Sequence, residues 1–211
     1  MIRLLIIDDH SVVRQGIRQI LADIADIVVG AEATNATDGL ERARAEQWDA
    51  VILDLNLPGT HGMDLLKQLR KEQETIPILV LSMHTEDQFA LRAIRAGASG
   101  YLTKNSAPDD FVNAVRTVVS GRHYVTAWLA DRLACEVTGD DASKAAHEQL
   151  SDREYQVMMH IASGKSLKEI AGEMNISPKT VGTYRGRLAE KMKLTTDAEL
   201  TAYVFRHHLL D

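Results

Sequence analysis

The sequence predicts an α/β protein, a doubly wound five-stranded parallel sheet, followed by a small all-helical domain. Three observations carry this. Short apolar runs alternate with amphipathic helical stretches five times over residues 1–121, as in parallel strands joined by crossover helices. A polar, small-residue stretch over residues 138–149 then breaks the periodicity. Beyond it only helical spacing remains.

The strands come first. Residues 4–7, 27–31, 50–53, 78–82 and 101–104 are brief apolar runs, the first four rich in β-branched and leucine residues. Such runs are too short for helices and read as buried strands. Between them, Val13, Ile17, Ile20 and Leu21 fall at helical spacing, with Ser11 as the expected cap. Helices are predicted over residues 36–46, 62–71 and 88–96, the last broken by Gly97 and Gly100. Ser106 to Pro108 opens a fifth helix through Phe111, Val115, Val118 and Val119, with proline in its first turn. Residues 124–137 continue as a helix with Trp128, Leu129 and Leu133 on its apolar side.

The second half is divided by capping signals. Ser151 with Glu154 is a capping box, opening a helix with Val157, Met158 and Ile161 as its stripe and Gly164 as its stop. Ser166 caps a second helix over 167–174, and Asn175-Ile176 makes a tight turn. Ser177-Pro178 opens a third helix to about Met192, with Val181, Leu188 and Met192 inward. A fourth spans 196–207. Two helices joined by so short a turn form a helix-turn-helix. The predicted domains are therefore 1–121, a linker over 122–149 that is helical in its first part, and 150–211.

Composition bounds the function. The hydrophobic fraction of 45% supports a true core, and a net charge of -6 argues against a generally basic surface while allowing a local patch. The single cysteine, Cys135, excludes a disulfide framework within the chain and fits a reducing compartment. It is read as a helix residue without chemistry. No apolar run approaches the roughly 18 residues of a membrane span. The first residues enter a strand with no leader pattern. A cytoplasmic protein without membrane association is expected.

Polar residues gather at the strand ends. Asp8 and Asp9 follow the first strand, Asp54 the third, Ser82 closes the fourth and Lys104 the fifth. In a sheet of strand order 2-1-3-4-5 these ends share the ligand-binding edge. Three neighbouring carboxylates need compensation. A hard divalent cation with oxygen ligands supplies it, and Mg2+ fits best. One carboxylate can then act as a nucleophile toward a phosphoryl group. Each acid alone is as readily a helix cap; the set together is not.

This constellation resembles the receiver domain of two-component response regulators. The resemblance implies a flavodoxin-like fold and roles for individual residues. Asp54 would accept a phosphoryl group from a sensor histidine kinase. Mg2+ would be held by Asp9, Asp54 and the backbone carbonyl of Asn56, with Asp8 acting through water. Lys104 and Ser82 would contact the phosphoryl group, and Ser82 with Tyr101 would form the switch pair. Members of this family usually have a cis bond after the lysine, often before proline. Here Asn105 follows, and a cis bond before a non-proline costs about 2.5–4 kcal/mol.

Residues 177–193 carry Lys179, Arg185, Arg187, Lys191 and Lys193 against Glu190 alone. A helix entering the major groove needs such an outer face, and backbone amides near Lys179 and Thr180 could hold a phosphate. Residues 150–194 resemble the LuxR-type helix-turn-helix of the NarL/FixJ subfamily, through Leu150-Ser151-Asp152-Arg153-Glu154, Gly164-Lys165-Ser166, Lys168-Glu169-Ile170-Ala171, Ile176-Ser177 and Thr180-Val181. The candidate contacts to double-stranded DNA are Lys179, Thr180, Thr183, Tyr184, Arg185 and Arg187. Gly182 replaces a frequent lysine and Tyr184 the usual histidine. The fourth helix is a candidate homodimer surface.

The expected function is phosphorylation-dependent control of dimerisation and DNA binding, with no enzymatic activity beyond phosphoryl transfer at Asp54. One rival is a protein-binding regulator that has lost DNA binding, for which Gly182 speaks. The other is an Asp-nucleophile phosphatase. It requires a second Asp two residues after the first, where this chain has Asn56.

Overall fold

In a computed structural model of the chain, the described residues are all except 58–61, 84–85, 138–144, 175, 208 and 211, together with the side chains of 86–88, 128, 132 and 135–137. The Pro58-Gly59 turn, most of the polar stretch over residues 138–149, Asn175 and the side chains of Trp128 and Cys135 therefore lie outside the description. Packing divides the chain into two units, Met1–Leu133 and Ala134–Asp211.

The first unit is built on β1 (Ile2–Ile7), β2 (Ile27–Ala33), β3 (Ala50–Leu53), β4 (Ile78–Ser82) and β5 (Gly100–Thr103), all parallel in the order β2-β1-β3-β4-β5. Helices α1 (Ser11–Leu21), α2 (Ala36–Ala45), α3 (Gly62–Glu72), α4 (Glu86–Arg95) and α5 (Pro108–Val119) connect and follow the strands, and α6 (Ala127–Val137) runs to the end of this unit and across its boundary. Every residue of β3 and β4 is buried. Both faces of these strands are covered, so they read as continuous apolar runs rather than alternating ones. Leu4, Ile6, Ile52, Leu79 and Leu81 pack with Ile17 and Leu21 of α1 and Phe111, Ala114, Val115 and Val118 of α5. Each such side chain contributes about 1.5–3 kcal/mol when fully buried.

Helix α5 begins at Pro108, with proline in its first turn as expected, and the Thr103 and Ser106 hydroxyls lie 3.1 Å apart ahead of it. Two local expectations change. The residue capping α1 is His10, which makes no side-chain cap hydrogen bond, and Ser11 is the first helical residue. Tyr124 is not helical. It bridges to Gly100, donating its N–H to the Ser99 carbonyl and accepting from the Tyr101 N–H, so it covers the exposed edge of β5. Edge strands need such cover.

The second unit contains a short 3-10 turn (Ala146–Gln149), α7 (Asp152–Ala162), α8 (Leu167–Glu173), α9 (Pro178–Met192) and α10 (Asp197–Arg206). Ser151, Ser166 and Thr196 each form a capping box, and Ser177 accepts from the Thr180 N–H at the start of α9. Gly164 ends α7 with a φ of 80°, a conformation glycine adopts without a Cβ penalty. Val157, Met158 and Ile161 of α7, Ile170 of α8, Val181, Leu188 and Met192 of α9 and Leu200 and Val204 of α10 are all buried. The described residues contain no helix long and apolar enough to cross a membrane.

Candidate functional site

Strand register brings the acids together. Ile7 is the partner of Leu53 across β1 and β3, so Asp8 and Asp54 leave the sheet side by side. The Asp54 N–H donates to the Ile7 carbonyl at 2.9 Å, and the Asp8 N–H to Ala33 at 3.1 Å. On the other side the Lys104 N–H donates to the Ser82 carbonyl at 2.8 Å. These bonds set the site at the carboxyl edge of the sheet, where α/β proteins bind ligands. Gly62 closes its floor: its N–H donates to Leu55, and a Cβ there would stand 2.5 Å from the Asp54 carbonyl oxygen.

Asp8 and Asp54 are buried and Asp9 is exposed. The Lys104 ammonium lies 2.7 Å from Asp54 Oδ2 and 2.8 Å from Asp8 Oδ2. Asp54 Oδ1 accepts from the Asn56 N–H at 3.1 Å. Burial raises the Asp54 pKa above the ordinary carboxylate value, and the hydrogen bond from Lys104 only partly offsets it. For Lys104 burial works downward, but the hydrogen bonds to Asp54 and Asp8 outweigh it and its pKa is raised. Lys104 thus supplies part of the compensation that three carboxylates require. Ser82 and Tyr101 are fully buried at this edge. The Lys104–Asn105 bond is trans, since no peptide bond among the described residues is cis.

Ligand oxygens of Asp8, Asp9 and Asp54 and a ring nitrogen of His10 all lie within 4.8 Å of one another. Three of the four donors are carboxylate oxygens, hard ligands that fit a divalent cation. His10 is a site residue the sequence reading overlooked. Its signal was plain: it directly follows the aspartate pair. Arg14 was missed as well. It donates to the Asp8 carbonyl at 2.7 Å and to Glu32 at 2.8 Å, tying the acidic turn to α1 and β2.

In the second unit the basic helix is α9. Lys179 and Arg187 are exposed and have no ion-pair partner among the described residues. Other candidates are engaged. Arg185 donates to Asp197 at 2.8 Å, and Lys191 to Glu154 at 2.6 Å. The Thr180 N–H donates to Ser177 Oγ, and the Thr183 hydroxyl donates to the Lys179 carbonyl. Tyr184 is partly exposed. A Cβ at Gly182 would meet nothing within 4 Å, so packing does not demand the glycine.

A family model described as "Response regulator receiver domain" matches residues 4–116. Another, "Bacterial regulatory proteins, luxR family", matches residues 148–204. The chain is 37% identical over 209 residues to Response regulator UvrY of Escherichia coli O6:H1, across 99% of this chain and 96% of that protein. It is 36% identical over 211 residues to Response regulator GacA of Pseudomonas aeruginosa, across 100% and 99%. Among solved structures, RcsB of Salmonella typhimurium aligns with a TM-score of 0.71 at 25% identity, covering 97% of each chain. A LuxR-family two-component response regulator from Aurantimonas sp. SI85-9A1 is 35% identical with a TM-score of 0.58, covering 64% of this chain and 97% of that one. With an acidic strand-end pocket in one unit, a helix-turn-helix in the other and relatives along its whole length, the chain belongs to the response regulators of the NarL/FixJ subfamily, which join a receiver domain to a LuxR-type helix-turn-helix.

Proposed function

We propose that this response regulator receives a phosphoryl group on Asp54 from a phosphohistidine of a sensor kinase, and that phosphorylation controls DNA binding by α9. The observation that carries the reading is the convergence of Asp8, Asp9, Asp54 and Lys104 at one sheet edge. We assign the receiver to residues 1–121, the linker to 122–149 and the DNA-binding domain to 150–211.

Transfer joins an Asp54 carboxylate oxygen to phosphorus as the phosphorus–nitrogen bond breaks. The donor imidazole keeps the electron pair. Mg2+, held by Asp9, Asp54 and the Asn56 carbonyl with Asp8 through water, would neutralise charge on the incoming group. Both Asp54 oxygens have partners in this structure. The Lys104–Asp54 pair therefore opens during transfer, and Lys104 turns to the phosphoryl oxygens. Ser82, buried beside it, donates its hydroxyl to another, and Tyr101 follows as the switch partner. The protein itself is no enzyme beyond this transfer and the hydrolysis that resets it.

On DNA, Lys179 and Arg187 bind phosphates without first breaking an ion pair, while Arg185 must leave Asp197. Thr180, Thr183 and Tyr184 complete the groove-facing set. The RcsB structure concerns DNA interaction, which supports this reading. Phosphorylation shifts the receiver between two conformations and favours a homodimer through α10, suited to paired half-sites. Cytoplasmic localisation follows from a DNA target.

The test is a DNA-shift titration of the full chain with and without acetyl phosphate, beside Asp54→Asn. Affinity rising only in the parent supports the proposal. Equal affinity in all four samples overturns phospho-control. A protein-binding role has one observation in its favour, the bare Gly182 on α9. Affinity for DNA that does not change with salt would favour it, because phosphate contacts weaken as salt rises.

A further inference from the structure

The alternation of strand and helix does not stop at β5. After α5 the chain returns to the sheet, and Tyr124 pairs with Gly100 as an isolated parallel bridge on the outer edge of β5. The Tyr124 N–H donates to the Ser99 carbonyl at 2.9 Å, and its carbonyl accepts from the Tyr101 N–H at 3.4 Å. Gly100 makes this approach possible. A Cβ there would stand 3.0 Å from both the Cβ and the carbonyl oxygen of Tyr124, and 3.0 Å from Leu79 Cδ1. The Tyr124 side chain packs against the core shared by the sheet and α5. Two residues on, Thr126 Oγ1 accepts from the Leu129 N–H at 3.4 Å in the first turn of α6, and Leu129 is buried. A single strap therefore joins β5 to the helix that leads out of the first unit.

The strap is held at two unequal points. Its bond to Ser99 has an ordinary length, whereas the bond from Tyr101, at 3.4 Å, lies beyond the usual range for N–H···O. β5 holds β4 through four residue pairs, and the strap holds β5 through one. Segments with so little backbone pairing are the ones that open locally. The long bond belongs to Tyr101, whose side chain is fully buried. Ser82 is the register partner of Thr103, two residues further along β5. A pull on Ser82 is thus passed to the strand that carries the strap.

We infer that residues 122–126 are a latch, docked on β5 while Asp54 is unphosphorylated and released when Ser82 and Tyr101 repack around a phosphoryl group. This rests on the reading that phosphorylation of Asp54 controls DNA binding, and adds the point at which the signal leaves the sheet. With Lys104 closed on Asp54, the structure has the latch docked. A shift of β5 breaks the long Tyr101 bond before the shorter Ser99 bond. Tyr124 then leaves the edge, and α6, capped by Thr126, loses its anchor. The docked strap restrains the connector to the second unit, and its release permits DNA binding. The two arrangements form a two-state element biased by the phosphoryl group.

The experiment follows amide hydrogen exchange of the full chain by NMR, with and without Mg2+ and beryllofluoride as a stable phosphoryl mimic. Protection of the Tyr124 amide should fall by about tenfold or more with the mimic, while β3 amides stay protected. Unchanged protection at Tyr124 overturns the latch. Two variants break the bridge from opposite sides: Tyr124→Pro removes the donor to Ser99, and Gly100→Ala crowds the strap. Both should take phosphoryl from acetyl phosphate to the parent's extent, read on phosphate-affinity gels. The DNA probe is a duplex selected from a random pool by the phosphorylated parent. Without acetyl phosphate, both variants should bind it within about twofold of the phosphorylated parent's affinity. Variants that keep the parent's dependence on phosphorylation, or that bind weakly in both states, overturn the latch. Should a variant fail to accept phosphoryl, exchange in the parent decides. A parent that accepts phosphoryl yet gains no DNA affinity overturns phospho-control itself, the underlying reading.

Discussion

The Lys104 ammonium sits 2.7 Å from the Asp54 carboxylate, its side chain 4% exposed and that of Asp54 wholly buried. Lys104 also holds Asp8 at 2.8 Å, so its loss strands two acids at once. Removing one member of a buried ion pair typically costs 3–5 kcal/mol. Lys104→Met should therefore lower the receiver's stability by about 3 kcal/mol in chelator, and Mg2+ should restore a large part of it. Urea unfolding followed through Trp48 with and without Mg2+ reads this. A variant as stable as the parent in chelator would show that Lys104 does not neutralise the pocket.

Gly62 has no room for a side chain. A Cβ would stand 2.3 Å from Leu55 Cα and 2.5 Å from the Asp54 carbonyl oxygen, both backbone atoms that cannot swing aside. Overpacking of this kind costs about 1–3 kcal/mol. Gly62→Ala should destabilise the receiver by about that amount and weaken cation binding, because the displaced segment carries Asp54 and Asn56. Unfolding curves and Mg2+ titration test both effects. Unchanged Mg2+ affinity alongside lowered stability would uncouple the turn from the site.

The second unit has its own buried acid. Glu154 accepts from the Ser151 N–H at 2.8 Å and from Lys191 at 2.6 Å, linking the cap of α7 to α9. Burial pushes the Glu154 pKa upward, but the Lys191 and Ser151 hydrogen bonds prevail and hold it below the usual 4.5. A lowered folded pKa means that stability is present above the unfolded value and lost as pH falls through the folded one. Protection factors of α7 and α9 amides, corrected for the intrinsic pH dependence of exchange, should therefore fall below about pH 4.5. Glu154→Gln should flatten that acid limb. Hydrogen exchange of the full chain across pH 3.5 to 6 checks it, and an acid limb that survives in the variant would assign it to another group.

Gly182 is open to substitution. Nothing lies within 4 Å of the Cβ it lacks, and glycine inside a helix costs about 1 kcal/mol relative to alanine. Gly182→Ala should stabilise α9 by up to that amount, seen as slower amide exchange. Gly182→Lys should raise affinity for any DNA and steepen the salt dependence by about one phosphate contact. A lysine that leaves the salt slope unchanged would mean residue 182 does not approach the backbone of DNA.

Lys193 ends α9 in the left-handed region, with φ 54° and ψ 38°. Glycine occupies that conformation without the Cβ penalty. Lys193→Gly should therefore stabilise the second unit by about 1 kcal/mol while removing one positive charge next to the DNA-facing helix. Slower exchange with slightly weaker DNA binding is the expected pair of results.

Much of this molecule was legible in the chain itself. The five strands announced themselves because residues such as Val51, Ile52 and Leu53 are buried on both faces and must be apolar without alternation. Ser151, Ser166 and Ser177 marked helix starts because capping is a local bond, made within three residues. Asp8, Asp54 and Lys104 could be grouped because strand ends in this topology share an edge. What tertiary structure alone decided were pairings between distant positions. Lys104 neutralises Asp54 and Asp8, Lys191 holds Glu154, and Asp197 takes up Arg185. A charged side chain's partner is set by where two elements pack, not by its neighbours in the chain. A run of basic residues on α9 therefore overstates the cations free to meet DNA, and a turn of three consecutive residues, Asp8, Asp9 and His10, closes into a single donor set only once β3 brings Asp54 alongside.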